Sequence, residues 1–339
     1  MTDSAQESHP QPFPQLGPEK VLNLVETHLG RNCTNLCRVL NSYINRVFEL
    51  EDEDGTGLVV KFYRPGRWSR QGLQDEHDFL LELHREEIPV VPPLQLTSGE
   101  TLGSEGDLFF AIFPRCGGRS FDEFNEEQWL EIGRLLGRCH AVGATHPSRE
   151  RLRMAPDSSS REHVRFILES GLIAKTQTAT RFSTLCDELF AEIGPLFAET
   201  RMSRIHGDCH FSNIIHRPGE SFFIIDFDDM VMGPAVQDLW MLLPDTPERS
   251  LLEIEFLLEG YETFHHFDRR SFRLIESLRA MRFLHYIAWL TFQYLADGSA
   301  PIVPGFSTPE YWDTEIADLA DQLERIRKDD GEVGNFLLF

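Results

Sequence analysis

The chain has 339 residues, 41% of them hydrophobic and 26% charged, with a formal net charge of −23 at pH 7. That length suits one large domain or two lobes of ordinary globular composition, and the acidic excess disfavours nucleic acid and anionic membranes as partners. Six scattered cysteines, with Cys33 and Cys37 in a C-x-x-x-C spacing and no second matching pair, argue against a structural zinc site or a disulfide framework and for a reduced, cytoplasmic chain.

Residues 1–15 are rich in Pro, Gln and Ser and read as a mobile tail. They have neither the basic start nor the apolar core of a signal peptide. Pro18 to Leu29 has helical spacing, and Gly30 stops it. Leu40–Leu50 and Leu58–Tyr63 read as two strands around EDEDGTG, with Asp54-Gly55 as the hairpin turn. Within the first, Asn41 to Asn45 reads equally as an ordinary polar tip and as a phosphate contact through Ser42 and nearby backbone N–H groups. Lys61 lies in the apolar strand VVKFY, where a lysine either snorkels to the surface or points into a cleft. Arg64 to Arg70, RPGRWSR, is a basic patch that could meet phosphate or an acidic partner; a solvated loop is the simpler reading.

Leu73 to Leu83 is an amphipathic helix with Leu73, Phe79, Leu80 and Leu83 for burial. Its Glu76, fifteen residues after Lys61, is placed to pair with that lysine, with Asp75 as the competitor. Pro89 to Pro93 breaks the chain. Leu108 to Pro114 is a continuous apolar strand, and Cys116-Gly117-Gly118 a flexible connection. The division falls there: residues 16–115 form an N-lobe and 116–339 a C-lobe. Glu126–Val142 is a helix, 145–162 a long loop, and helices follow over 161–172 and 180–199. After a Gly233-Pro234 turn, Val236–Leu243 is helical, with Asp238 bracing the preceding loop. Glu248–Thr263, Arg270–Leu295 and Pro309–Lys328 complete a helical C-terminal third. Even the most apolar stretch, Phe283 to Leu295, is interrupted by His285 and Gln293, so no run reaches transmembrane length.

Ile205 to Asp229, IHGDCHFSNIIHRPGESFFIIDFDD, organises the rest. Asp208 and Asn213 are five positions apart and Asp226 follows thirteen later. Between them Ser221 to Ile225 reads as a strand behind a Pro218-Gly219 turn, which makes a hairpin with Asp208 and Asn213 before it and Asp226 at its far end. Three oxygen-bearing side chains then converge. Phosphoryl transfer needs such a set: an aspartate for the attacking hydroxyl, and an amide and a second carboxylate to hold Mg²⁺ against ATP. The order and first gap match the protein-kinase pattern, with Asp226-Phe227-Asp228 in place of DFG. His206, Cys209, His210 and His216 fit no zinc spacing. His206 instead reads as orienting the loop backbone.

HGDCHFSN and IDFDD, followed by Gly233-Pro234 and Asp238-Leu239, resemble the aminoglycoside phosphotransferase and choline kinase superfamily. LNSYINRVFEL, VVKFYRPGRW, GPAVQDLWMLL and LRAMRF more narrowly resemble the bacterial stress response kinase A family of Ser/Thr protein kinases. The resemblance covers about residues 20–325. It implies an α+β, two-lobed protein-kinase-like fold of the aminoglycoside phosphotransferase type, with a small antiparallel-sheet N-lobe and a larger, mostly helical C-lobe. It favours Ser42 as an ATP contact over Asn45 and Arg46, makes Lys61 the partner of the α/β-phosphates, and sets the Phe113–Arg115 backbone against adenine. Asp208 becomes the catalytic base, Asn213 and Asp226 the Mg²⁺ ligands, and Asp228 a candidate for a second ion. The implied activity is transfer of the γ-phosphate of ATP to a Ser or Thr of a protein substrate, in a monomeric stress-response enzyme. The alternatives are a small-molecule kinase of aminoglycoside, choline or homoserine type, and a non-catalytic kinase-like binding protein. Retention of Lys61, Asp208, Asn213 and Asp226 together argues against the last.

Overall fold

In a computed structural model, which describes residues 13, 16–42, 44–297 and 303–328, the chain divides into two compact units. The tail expected over residues 1–15 lies outside the described residues apart from Phe13. One unit comprises Gln15–Arg151 and Met202–Asp268; the other is built from the described parts of Leu152–Arg201 and Arg269–Phe339.

Helix α1 (Pro18–Leu29) opens with proline in its first turn and ends where Gly30 adopts a left-handed φ of 68°. Strands β1 (Cys33–Leu40), β2 (Arg46–Asp52) and β3 (Gly57–Phe62) precede helix α2 (Arg70–Arg85), and β4 (Gly103–Glu105) and β5 (Leu108–Pro114) follow it. The five strands form an antiparallel sheet in the order β1-β2-β3-β5-β4. The single strand expected over Leu40–Leu50 is therefore corrected. It is the end of β1, a turn, and most of β2. The Asn45 side chain fixes the break by accepting from Arg64 N at 3.1 Å and donating to Asp228 at 3.2 Å.

Alternation along β3 sorts its side chains. Phe62 packs with Phe48 and Phe110 on one face, and His28 of α1 stands edge-on to Phe110 at 5.0 Å. Tyr63 and Ala111 join Leu73 of α2 and Leu102 in a buried cluster on the other. Lys61 pairs in register with Ala111 and belongs to this second face, so it is buried rather than snorkelled. His77 of α2 is sealed there between Tyr63 Oη (2.9 Å) and Thr101 Oγ1 (2.8 Å).

Helix α3 (Glu126–Gly143) starts with a capping box between Asn125 and Gln128. Helices α4 (Arg161–Glu169) and α5 (Thr176–Ala198) follow, then short strands β6 (Ser203–Ile205), β7 (Ile214–His216), β8 (Phe222–Ile224) and β9 (Val231–Gly233). Strands β7 and β8 form the hairpin expected around Pro218-Gly219, and β6 pairs with β9. Helices α6 (Val236–Trp240) and α7 (Leu251–Tyr261) complete the sheet-bearing unit. There α3 and α7 touch backbone to backbone. A Cβ on Gly133 would lie 2.0 Å from Leu257 O, and one on Gly260 2.1 Å from Leu130 O.

The other unit is helical among its described residues. Helices α4 and α5 pack with α8 (Ile275–Asp297) and α9 (Pro309–Lys328) around Phe182, Leu189, Ile193, Trp312, Leu319 and Leu323. Gln322 of α9 donates to Glu276 O (2.9 Å) and Oε2 (2.7 Å), tying α9 to the start of α8. No helix among the described residues is long and apolar enough to cross a membrane.

Gly260→Ala is expected to destabilise the protein by about 2–3 kcal/mol, because the methyl group meets a backbone carbonyl rather than a movable side chain; urea unfolding measures it. His77 generates a second expectation. Burial first, then the nearby Lys61 and Arg151 charges, push its imidazole down to about 3. The unfolded chain binds that proton near pH 6.5 and the folded chain does not, so stability falls as pH drops from about 6.5 to about 3, at up to about 1.4 kcal/mol per unit. His77→Gln should flatten this acid limb by one proton in unfolding curves measured across that range.

Candidate active site

The segment after Ile205 is held by one buried carboxylate. Asp238 of α6 accepts from His206 N and Gly207 N, both at 2.8 Å, and from His140 Nε2 at 3.0 Å. His140 Nδ1 in turn meets Tyr261 Oη at 2.9 Å, which engages both ring nitrogens. Gly207 has φ 85°, and a Cβ there would lie 2.3 Å from Asp229 O, so the HGD turn requires glycine. His206 donates through Nε2 to Ile225 O at 2.9 Å and accepts from Asp208 N at 3.2 Å through Nδ1. It thereby links the loop before the hairpin to the strand end after it, as its position in the sequence suggested.

The hairpin register does the rest. Ile225 N donates to Asn213 O at 3.0 Å, which continues the β7–β8 ladder and sets Asn213 beside the residue before Asp226. Asn213 Nδ2 donates to Asp208 O at 3.0 Å, fixing the amide with its oxygen turned from that bond. The Asp208 carboxylate lies 3.4 Å from His210 Nε2. Asp226 has a left-handed backbone, φ 60° and ψ 66°. For a residue with a Cβ this costs on the order of 1 kcal/mol, and aspartate tolerates it better than most. The turn leaves the Asp226 side chain 57% exposed, while Phe227 is buried edge-on against Phe79 of α2 (5.8 Å) and His206 (4.7 Å).

Lys61 Nζ reaches this segment directly. It lies 3.1 Å from Asp226 Oδ1, 3.2 Å from Asp228 Oδ1 and 4.0 Å from Glu76 Oε1. Burial alone would lower the Lys61 ammonium, but Asp226, Asp228 and Glu76 outweigh it and hold its pKa well above the usual range. Burial likewise raises the Asp228 carboxyl, and Lys61, Arg67 and Arg151 reverse that and hold it well below the carboxylate range. Asp75 turns elsewhere: its Oδ2 accepts from Arg149 N (2.8 Å), Glu150 N (2.7 Å) and Arg151 N (3.3 Å). The start of the long loop expected over 145–162 is thus anchored on α2.

That anchoring delivers a residue which sequence reasoning missed. Arg151, wholly buried, donates to Glu76 Oε2 (2.7 Å), Gly72 O (2.7 Å) and Asp228 O (2.5 Å), and its guanidinium covers the Trp68 ring at 4.1 Å. Nothing in its local sequence distinguishes it from other loop arginines. Arg67 was also missed. It pairs with Asp228 and, at 2.6 Å, with Asp229. The solvated loop expected over Arg64–Arg70 is corrected by it and by the buried Arg64, while Arg70 stays at the surface with Glu100.

Ser42 stands at the β1–β2 turn, where its Oγ accepts from Asn45 N at 3.3 Å; Asn45 itself is committed to Asp228 and Arg64. Arg115 N donates to Gly57 O at 2.9 Å, so this N–H belongs to the sheet and does not face a base. Asp228, engaged by Lys61, Arg67 and Asn45, is not open to a second ion in this arrangement. Among the described residues no group of three or more His, Cys, Asp and Glu is placed to hold a metal by itself. The Asn213 amide oxygen and the exposed Asp226 carboxylate are hard donors, few in number, and suit Mg²⁺, which takes its remaining ligands from phosphate and water.

A family model described as phosphotransferase enzyme family matches residues 36–275. The chain is 35% identical over 320 residues to stress response kinase A of Escherichia coli (strain K12), covering 93% of this chain and 95% of that protein. It is 37% identical over 287 residues to serine/threonine protein kinase RdoA of Salmonella typhimurium (strain LT2), covering 84% and 85%. A structure of amicoumacin kinase hAmiN in complex with AMP-PNP and Ca²⁺ aligns with a TM-score of 0.71 at 18% identity, over 94% of this chain and 95% of that one. Spectinomycin phosphotransferase APH(9)-Ia aligns with 0.62 at 14% identity, over 93% and 99%. These likenesses establish the fold expected from the sequence: a small antiparallel sheet with a helix-rich remainder, of the aminoglycoside phosphotransferase, protein-kinase-like type.

Asp238→Ala strands several buried donors at once and is expected to cost about 3 kcal/mol or more, as seen in urea unfolding. Asp238→Asn keeps one acceptor oxygen and should fall between that variant and the native protein.

Proposed function

The chain belongs to the phosphotransferase enzyme family and is a kinase; on that premise we propose that it is an ATP- and Mg²⁺-dependent Ser/Thr protein kinase of a bacterial stress response. The observation that carries the protein acceptor is the likeness to serine/threonine protein kinase RdoA over 84% of the chain, and the stress response rests on the likeness to stress response kinase A. The hairpin register that sets Asn213 against Ile225, with Asp208 tied to Asn213, supports the phosphotransfer chemistry.

In this reading Asp208 orients the acceptor hydroxyl and takes its proton. The acceptor oxygen forms the new bond to the γ-phosphorus as the bond to the β–γ bridging oxygen breaks, and ADP leaves. His206 accepts from the Asp208 backbone and Asp238 from those of His206 and Gly207, which presets the turn that carries the base. Asn213 and Asp226 would hold Mg²⁺, which when bound offsets phosphate charge. Lys61 meets the α/β-phosphates with Glu76 behind it, and Glu76 is itself fixed by Arg151. Ser42 and the adjoining turn contact the nucleotide. Residues 16–115 serve the nucleotide and 116–339 the catalytic loop and acceptor. The enzyme acts as a cytoplasmic monomer, without nucleic acid or membrane.

The test follows γ-labelled ATP with Mg²⁺ into the protein itself, a generic basic protein, and a panel of small alcohols and amino sugars. Label on Ser or Thr of protein is expected, reduced roughly 10²–10⁴-fold in Asp208→Asn with nucleotide binding retained. Label confined to small molecules would move the acceptor assignment to a small-molecule kinase. Wild-type turnover by a folded Asp208→Asn protein would remove Asp208 from its role.

A further inference from the structure

Lys61 cannot turn to a phosphate unless the carboxylates it leaves are otherwise compensated. Asp228 presents this problem most sharply, because its side chain is only 6% exposed. A buried carboxylate without a cation is strongly unfavourable, so it holds whichever cation is in reach. Among the described residues the Asp228 carboxylate pairs with two cations, Lys61 on Oδ1 and Arg67 on Oδ2.

Arg67 is built to be the one that stays. Its guanidinium forks between consecutive carboxylates, Asp228 on one side and Asp229 on the other at 2.6 Å, a geometry that a lysine cannot reproduce. Its side chain is 16% exposed, and its guanidinium lies 5.4 Å from the Trp68 ring. Arg151 covers that same ring at 4.1 Å, so the loop between β3 and α2 is pinned at Trp68. Asn45 adds a neutral donor to Asp228 at 3.2 Å.

Resting on the nucleotide role given to Lys61, we propose that Arg67 is a positioning residue for nucleotide binding: by neutralising Asp228 and Asp229 it releases Lys61 to the α/β-phosphates. Arg67 acts through Lys61. Without it, Asp228 keeps Lys61 for itself and the nucleotide meets a site with more negative charge.

The experiment is calorimetric titration of AMP-PNP with Mg²⁺ into the full chain, as wild type, Arg67→Gln, Arg67→Lys and the double variant Arg67→Gln/Asp228→Asn. Thermal unfolding confirms that each is folded. Arg67→Gln is expected to weaken binding about tenfold or more, with Arg67→Lys in between. In the double variant the neutral amide no longer retains Lys61, and the affinity should return to within about threefold of wild type. A merely structural role for Arg67 would leave the double variant no tighter than the single one, and that result would overturn the inference, as would an unchanged Kd in Arg67→Gln. Should Arg67→Gln not fold, Arg67→Lys decides: weakening of about threefold or more supports the inference and an unchanged Kd overturns it. Wild type that binds no nucleotide would overturn the functional reading and this inference with it, whereas binding by wild type that ignores Arg67 overturns this inference alone.

Discussion

Lys61 lies below the surface with its ammonium 3.1 Å from Asp226 and 3.2 Å from Asp228, and most of the site follows from the need to compensate charge there. A buried ion pair is not a source of net stability, because the desolvation of both partners offsets much of their attraction. Its consequence is positional. Each charge must keep a partner, so moving one group obliges its neighbours to adjust. Glu76 answers Lys61 and is answered by Arg151, while Arg67 answers Asp228 and Asp229. These contacts bind the central strand of the sheet, helix α2, the loop at 149–151 and the IDFDD segment into one charge-coupled body.

A hydrogen-bonded scaffold complements it. Asp238, His140 and Tyr261 form a buried chain that ends on the backbone of His206 and Gly207. Because backbone N–H groups are what Asp238 holds, the turn that leads into Asp208 is fixed at its start. The close α3–α7 contact through Gly133 and Gly260 serves the same end, since His140 lies on α3 and Tyr261 on α7. The strained Asp226 backbone sits where these two networks meet.

Much of this was legible in the chain itself. Helix α1, strand β5 and helix α9 begin and end where capping residues, prolines and hydrophobic period place them. The β7–β8 hairpin and the bracing by Asp238 were also readable, because Pro218-Gly219 and the polar-apolar pattern around them are local signals. Strands β1 and β4 were not. Strand β1 is an edge strand with Leu36 and Val39 exposed and an irregular register near Cys33, so it lacks the alternation that marks a half-buried strand. The three-residue strand β4 exists only because β5 runs beside it.

The sequence by itself determined which residues are candidates for the chemistry: local spacing singled out Asp208, Asn213 and Asp226, and period the elements that hold them. Only the tertiary structure decided which charges meet. Arg67 and Asp228 are 161 residues apart, and Arg151 and Glu76 75. A pairing over such separations leaves no periodicity or turn signal in either segment, because it is set by where the folded backbone brings two buried charges together.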